Sequence, residues 1–393
     1  MNKKIELYHY GDCGAFDDYN PFKVYAGESI PEVLYLIGRK KPYTLTVDDI
    51  VIKLNCDKEL LKEHLEIMKS LLMIDEIDGY YSTKFTIIVE DDLEAINDFS
   101  KDVSDRLSDS IITKQEELKA LCTNLSCYND FETNELLYHV IGCMILDGSA
   151  IDELSSYDYF KSSKEQVDHR DYILFGFEKS DLVDEFSEGI LCSCNNYRTD
   201  LLSFVSFGDA AGNRNDFFRF ERQVIKQINQ MDSSKNTKQS YLNLLQNHHN
   251  ETGLKCAHLI MRMINGEVHE NEYTSDDDLY LEYLQSFNYI KKKDRKYHIT
   301  VPVFLKRDMS VIDAIHDLVM KEVLLNLSES FSKAHERLDI SAVKHGVDIK
   351  EILNEMWHQI FGHVNETLVT KELFKRPDCF EGEGRYLKCI EVL

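Results

Sequence analysis

The stretch IPEVLYLIGRKKPYTLTVDDIVIKLNCDKELLKEHLEIMKSLLMIDEIDGYYSTKFTIIVEDD, Ile30 to Asp92, decides how the chain is read. It opens on an apolar helix through Val33, Leu34, Leu36 and Ile37 that should end near Gly38, before Pro42 disfavours further helix. Thr46 then predicts the cap of a second helix running to Leu54, with Asp48 and Asp49 in its first turn, where carboxylates suit the positive end of the dipole. Past a turn at Asn55, Cys56 and Asp57, a third helix sets Leu60, Leu61, Leu65, Met68, Leu71 and Leu72 at helical spacing. MIDEIDGYYSTKFTII changes to strand, glycine-containing turn, strand.

Three short helices followed by a β-hairpin, in the pattern LYLIG…LTVDDIVIKLN…LLKEHLEIMKSLLMIDEIDG, resemble the winged helix-turn-helix domain of bacterial transcription regulators. The resemblance implies contact with double-stranded DNA through the third helix, where Lys58, Lys62 and Lys69 would touch phosphate, and through a wing. It also implies a cytoplasmic regulator whose remainder senses a small-molecule effector or protein partner and holds a homodimer.

Further along, QSFNYIKKKDRKYHITVPVFLKRDMSVI repeats the plan of SLLMIDEIDGYYSTKFTIIVEDDLEAI: helix end, short strand, polar tip, second strand, acidic turn, helix. Ahead of it a first helix at Leu254 to Ile264 and a third at about Asp276 to Ser286 leave little room for a middle one, so this copy reads as a degenerate winged helix. Between the copies, Leu93 to Leu121 reads as a long helix whose face carries Leu93, Ile96, Phe99, Val103, Leu107, Ile111 and Leu118; it either pairs two subunits or packs on its own domain. A shorter helix is expected over Thr133 to Leu146.

The centre carries YILFGF, GILCSC and LLSFVSF, apolar runs separated by acidic loops that predict a small sheet over Tyr172 to Phe207. A helix from Phe217 to about Met231 leads into MDSSKNTKQS, which reads as a linker. In DIKEILNEMWHQIFGHVNETLV the apolar residues follow one helical face, and the tail GEGRYLKCIEVL reads as a loop and a last strand. The expected fold class is α+β, predominantly α-helical, with winged-helix domains flanking a small central α/β module. Its segments are residues 1–92, connecting or dimerisation helices at 93–149, the module at 150–232, the second copy at 233–308 and a helical region at 309–393.

Composition sets limits on this reading. Apolar residues are 43% and charged residues 29% of 393, an ordinary globular balance, and no apolar run is long enough to span a membrane. The opening MNKKIELYHYGDCG turns polar too early for a signal peptide, and ten scattered cysteines read as reduced thiols, so a cytoplasmic protein is expected. A net charge of -25 opposes bulk attraction to nucleic acid, so any such contact must be local.

The first copy is a poor phosphate partner: Pro31 to Asp92 holds eight cations against thirteen acids, and its wing tip reads DEIDG. The second wing is the opposite, with Lys291, Lys292, Lys293, Arg295 and Lys296 in six consecutive positions, although SDDDLYLEYL lies beside it. A solvated hairpin tip accounts for those lysines equally well. The loop SFGDAAGNRNDFF offers Gly212, Asn213 and Arg214 at a helix start as an anion or ligand site, against the simpler reading of a capped turn. Neither Cys192 and Cys194 nor His248, His249, Cys256 and His258 have a metal-ligand spacing, so no metal or cofactor is expected. Cys13, between glycines in YGDCGAF, reads as an exposed thiol without a partner base, and no catalytic motif appears, which leaves enzyme activity unsupported. Two functions therefore compete: a DNA-binding transcriptional regulator, and a winged-helix protein-interaction scaffold that does not bind DNA.

Overall fold

The computed structural model describes residues 3–14, 17–210, 212–231 and 234–393. Helix makes up 55% and strand 18%, so the protein mixes both with helix dominant. The chain forms two compact units, each made of three separate stretches. One comprises Met1–Ser110, Leu146–Ile190 and Met320–Thr367; the other comprises Ile111–Ile145, Leu191–Val319 and Leu368–Leu393.

In the first unit, strand Asp171–Glu178 pairs antiparallel with Ile5–Asp12 and parallel with Thr86–Ile88. Helices Ile30–Arg39, Val47–Leu54 and Lys58–Ser70 bury Val33, Leu34, Ile50, Leu61 and Met68 in one core with Ile5, Leu7 and Ile87. Thr46 closes a capping box with Asp49, and Asp57 caps the third helix by accepting from the amide of Leu60 at 2.8 Å. The buried stripe of that helix is narrower than its spacing implies: Leu60 and, just past the helix end, Leu72 are exposed. Hairpin Ile74–Ile77 with Tyr80–Thr83 follows.

In the second unit, Gly384–Val392 pairs parallel with Val303–Phe304 and antiparallel with Leu202–Asp209, which continues to Leu191–Arg198. The three central apolar runs therefore do not make one small sheet, because each unit supplies its own partner strands. The expected helix at Leu254 to Ile264 is the end of a 30-residue helix, Lys235–Ile264, capped by Ser234. That helix replaces most of the expected linker, of which Asp232 and Ser233 lie outside the described residues. A 3-10 turn, Glu270–Glu272, stands where the middle helix would be, before helix Asp278–Ser286 and hairpin Ile290–Lys293 with Lys296–Ile299.

The repeat seen in the sequence extends to individual hydrogen bonds. One constant interval relates Leu72 to Asn288, both left-handed at the helix exit, and Asp78–Gly79 to Asp294–Arg295, both left-handed at the hairpin tip as a type I′ turn requires. At the same interval, the amide of Met73 bonds Met68 O as that of Tyr289 bonds Leu284 O, and Lys84 bonds Met73 O as Thr300 bonds Tyr289 O. It also relates two buried aspartates. Asp92 accepts from the amide of Val89 and from Ser341, while Asp308 accepts from the amide of Leu305 and from Ser126.

The sheets repeat as well. Gly11 lies where a Cβ would come within 2.3 Å of Asp171 O, and Gly208 where one would come within 1.9 Å of Arg385 O, so both strands need glycine for the same close approach. The partners of the aspartates show how the units are assembled. Ser341 follows the second hairpin in sequence but belongs to the first unit, and Ser126 follows the first hairpin but belongs to the second. Each unit is thus completed by a helical stretch from the other repeat.

Helix Leu93–Thr113 buries Ile96, Phe99, Val103 and Leu107 within the chain. In the first unit it lies against helix Met309–Ser332, with Arg106 donating to Ser330 Oγ at 2.9 Å, Asn326 donating to Ser110 Oγ at 3.1 Å, and Phe99 stacked 6.1 Å from Phe331. Of the two expectations for this face, packing inside the chain is the one found. Among the described residues no helix is long and apolar enough to cross a membrane.

Candidate anion-binding face of the second hairpin

Strand period two sorts the cations of the second hairpin onto two faces. Lys291 pairs with His298 and Lys293 with Lys296, so these four share one face, while Lys292 pairs with Tyr297 on the other. Lys292 is committed there: its ammonium lies 2.8 Å from Glu270 Oε1 and 5.5 Å from the Tyr297 ring, and the Glu270 carboxylate holds it above the usual lysine range. Among the described residues, Lys291, Lys293, Arg295 and Lys296 have no carboxylate within ion-pair distance, and all four are exposed.

The lysines of the third helix differ. Lys58 lies 2.5 Å from Asp48, Lys62 2.8 Å from Glu59, and half-buried Lys69 sits between Glu66 at 2.7 Å and Glu76 at 2.6 Å. The two carboxylates hold the Lys69 ammonium well above the usual lysine range. A phosphate approaching this helix would have to displace them.

Beneath the free face of the second hairpin lies a cavity of about 670 Å³. Lys291, Lys293, His298 and Arg307 line it together with Asp130 and Phe131, over a floor that includes Ile264, Val301 and Leu305. In the first unit the matching place is filled. There His345 Nδ1 meets Ser82 Oγ at 2.8 Å and the Thr83 amide at 3.3 Å, and Nε2 meets Lys40 O at 2.8 Å; burial lowers the basicity of this imidazole. The interval that relates Asp92 to Asp308 takes Ser82 to His298, and the one that takes Ser126 to Ser341 takes Asp130 to His345. His298, Asp130 and Arg307 were not singled out from the sequence. Aligning the two hairpins and the two serines at these intervals would have found them.

The loop after strand Leu202–Asp209 does not hold an open anion site. Arg214 is 1% exposed and its guanidinium donates to the carbonyls of Ser193, Ser206 and Asp209. The amide of Asn213 is spent on Gly382 O at 2.9 Å, and Gly212 O accepts from Arg219. Asp216 accepts from Ser206 Oγ at 2.6 Å and caps the following helix through the amide of Arg219, so the capped-turn reading describes this loop.

Cys13 is buried rather than exposed, and burial pushes its thiol up to about 12, which removes it as a nucleophile at neutral pH. Among the described residues none of the ten cysteines forms a disulfide, and a bulge between Leu191 and Ser193 takes Cys192 out of register with Cys194. Among the described residues no group of three His, Cys, Asp or Glu side chains is placed to hold a metal ion. No protein family, characterised protein or solved structure matches this chain.

Proposed function

We propose that the chain is a nucleic-acid-binding regulator of winged-helix type, with two copies of the domain in one polypeptide, in which the second hairpin supplies the phosphate contacts. The carrying observation is the contrast in pairing: Lys58, Lys62 and Lys69 are each held by a carboxylate, whereas Lys291, Lys293, Arg295 and Lys296 have none within ion-pair distance among the described residues. Each free cation that neutralises a phosphate releases a counterion, so affinity falls with salt in proportion to their number. Base reading by helix Asp278–Ser286 is not part of the proposal, because Asp278 and Glu282 face solvent there. Contacts of this kind position a duplex without reading it.

The test is retention of fragmented genomic DNA on the full chain across a salt series. DNA is expected to bind at low salt, and Arg295→Ala with Lys296→Ala should lower the log–log salt slope by about 2. If no fragment is retained at low salt, the reading fails. A protein-interaction scaffold is the second reading, favoured by apolar side chains that helices Val47–Leu54 and Lys58–Ser70 leave in solvent: Ile52 at 79% and Ile67 at 41% exposure. It predicts that Ile52→Glu with Ile67→Glu removes function in the cell of origin while leaving any DNA retention unchanged.

A further inference from the structure

We infer that the cavity beneath the second hairpin is a binding site for a small organic phosphate, a phosphomonoester with a compact apolar or aromatic body. This site shares Lys291 and Lys293 with the nucleic-acid reading but is distinguished from it by Arg307 and His298, which line the cavity, and by Arg295 and Lys296, which do not.

Size, charge and symmetry converge on it. A volume of about 670 Å³ falls in the range of ordinary small-ligand sites, roughly 300 to 1,000 Å³. Lys291, Lys293 and Arg307 bring three positive charges and Asp130 one negative charge to the lining. The surplus of two matches a phosphomonoester, which carries about -1.5 to -2 at neutral pH. Ile264, Val301 and Leu305 give the organic part an apolar floor. Arg307 stands on a 3-10 turn held by buried Asp308, which fixes where its backbone projects.

The first unit shows what the same place looks like when the protein fills it. There an imidazole from one side bonds a hydroxyl and an amide of the hairpin and a carbonyl from a third segment. In the second unit the carboxylate of Asp130 stands at the position of His345 and the imidazole of His298 at that of Ser82, and both border open volume. The middle helix, whose preceding turn brings Lys40 O to the plug, is also missing there. The second site has therefore lost its internal plug and gained cations.

The experiment is isothermal titration of the full chain with AMP, ribose 5-phosphate and glycerol 3-phosphate, with adenosine and inorganic phosphate as controls. At least one ester is expected to bind more tightly than inorganic phosphate, with adenosine silent. Lys293→Ala and Arg307→Ala should each weaken it tenfold or more, while Arg295→Ala with Lys296→Ala should leave it within twofold. Both residues to be removed are exposed, so the variants keep the fold. The inference is overturned if no ester binds, if binding survives loss of Arg307, or if adenosine binds as well as AMP. If the unaltered chain retains no DNA at low salt but binds an ester, the nucleic-acid reading alone fails.

Discussion

The two hairpins share a left-handed helix exit, a type I′ tip and a buried aspartate that accepts from a serine, yet one is closed and charge-paired and the other open and cationic. What persists between them is backbone geometry with a local chemical cause: a turn that demands positive φ, an aspartate that satisfies amides at a helix start. What differs are the side chains that face outward from that frame. Divergence has gone where it costs the fold least, and for that reason the place where the repeat breaks is the better guide to function than the place where it holds.

The strongest way to break this comparison is to remove what the halves share. Asp92 is 2% and Asp308 1% exposed, and each accepts two bonds from a serine and one from the amide three residues before it. Asp92→Ala or Asp308→Ala deletes charge-assisted bonds and leaves buried amides unpaired, and each should cost about 3 kcal/mol in urea unfolding. Equal losses would support equivalent clamps; a loss below about 1 kcal/mol in either variant would deny the equivalence.

A second difference sharpens the comparison through pH. The interval that relates the hairpins also takes His139 to Glu355, and both are buried. Glu355 accepts from Tyr10 at 3.0 Å and Gln359 at 2.7 Å, but burial dominates and raises its carboxyl to about 7. The folded state then holds a proton that the unfolded chain releases near pH 4.5, so this group favours folding below that pH and progressively less as pH rises to 7. His139 runs the other way: burial lowers it to about 3, so its contribution is complete above pH 6.5 and is lost on acidification. Glu355→Gln should stabilise the protein at pH 7.5 by up to about 3 kcal/mol and change little at pH 4. The Gln359 amide can flip to accept from the new side chain, since among the described residues its Oε1 has no hydrogen-bond partner. Unfolding curves that shift equally at both pH values would refute the assignment.

Much of this architecture was legible from the sequence. Helical and strand periods, Thr46 as a cap, the turn at Asn55 to Asp57 and the Asp-Gly tip located the first copy, because those signals act within a few residues. The assembly was not legible. That Ser341 should serve Asp92, or that YILFGF and GILCSC should enter different sheets, depends on contacts between residues far apart in sequence that leave no local period. The candidate site was half visible. A run such as Lys291 to Lys296 announces charge, but whether a lysine is free depends on which carboxylate the fold brings to it, and here Glu270 pairs directly with Lys292.

The smallest expected effect concerns Lys69, and it decides whether the first hairpin is excluded from nucleic acid by its pairing or by its position. Glu66 and Glu76 hold the ammonium from both sides, and its side chain is only 27% exposed. Glu66→Gln with Glu76→Gln removes both partners and two negative charges beside the third helix, and leaves hydrogen-bonding groups of the same shape. If the first copy merely lacked a free cation, the liberated Lys69 would add one phosphate contact and steepen the DNA salt slope by about 0.9. If the first copy stands away from the duplex, as the cationic face of the second hairpin requires when it alone carries the contact, the slope should stay within about 0.3 of its original value. A steeper slope would make the two hairpins differ by two carboxylates and nothing more, and the comparison would then rest on the cavity alone.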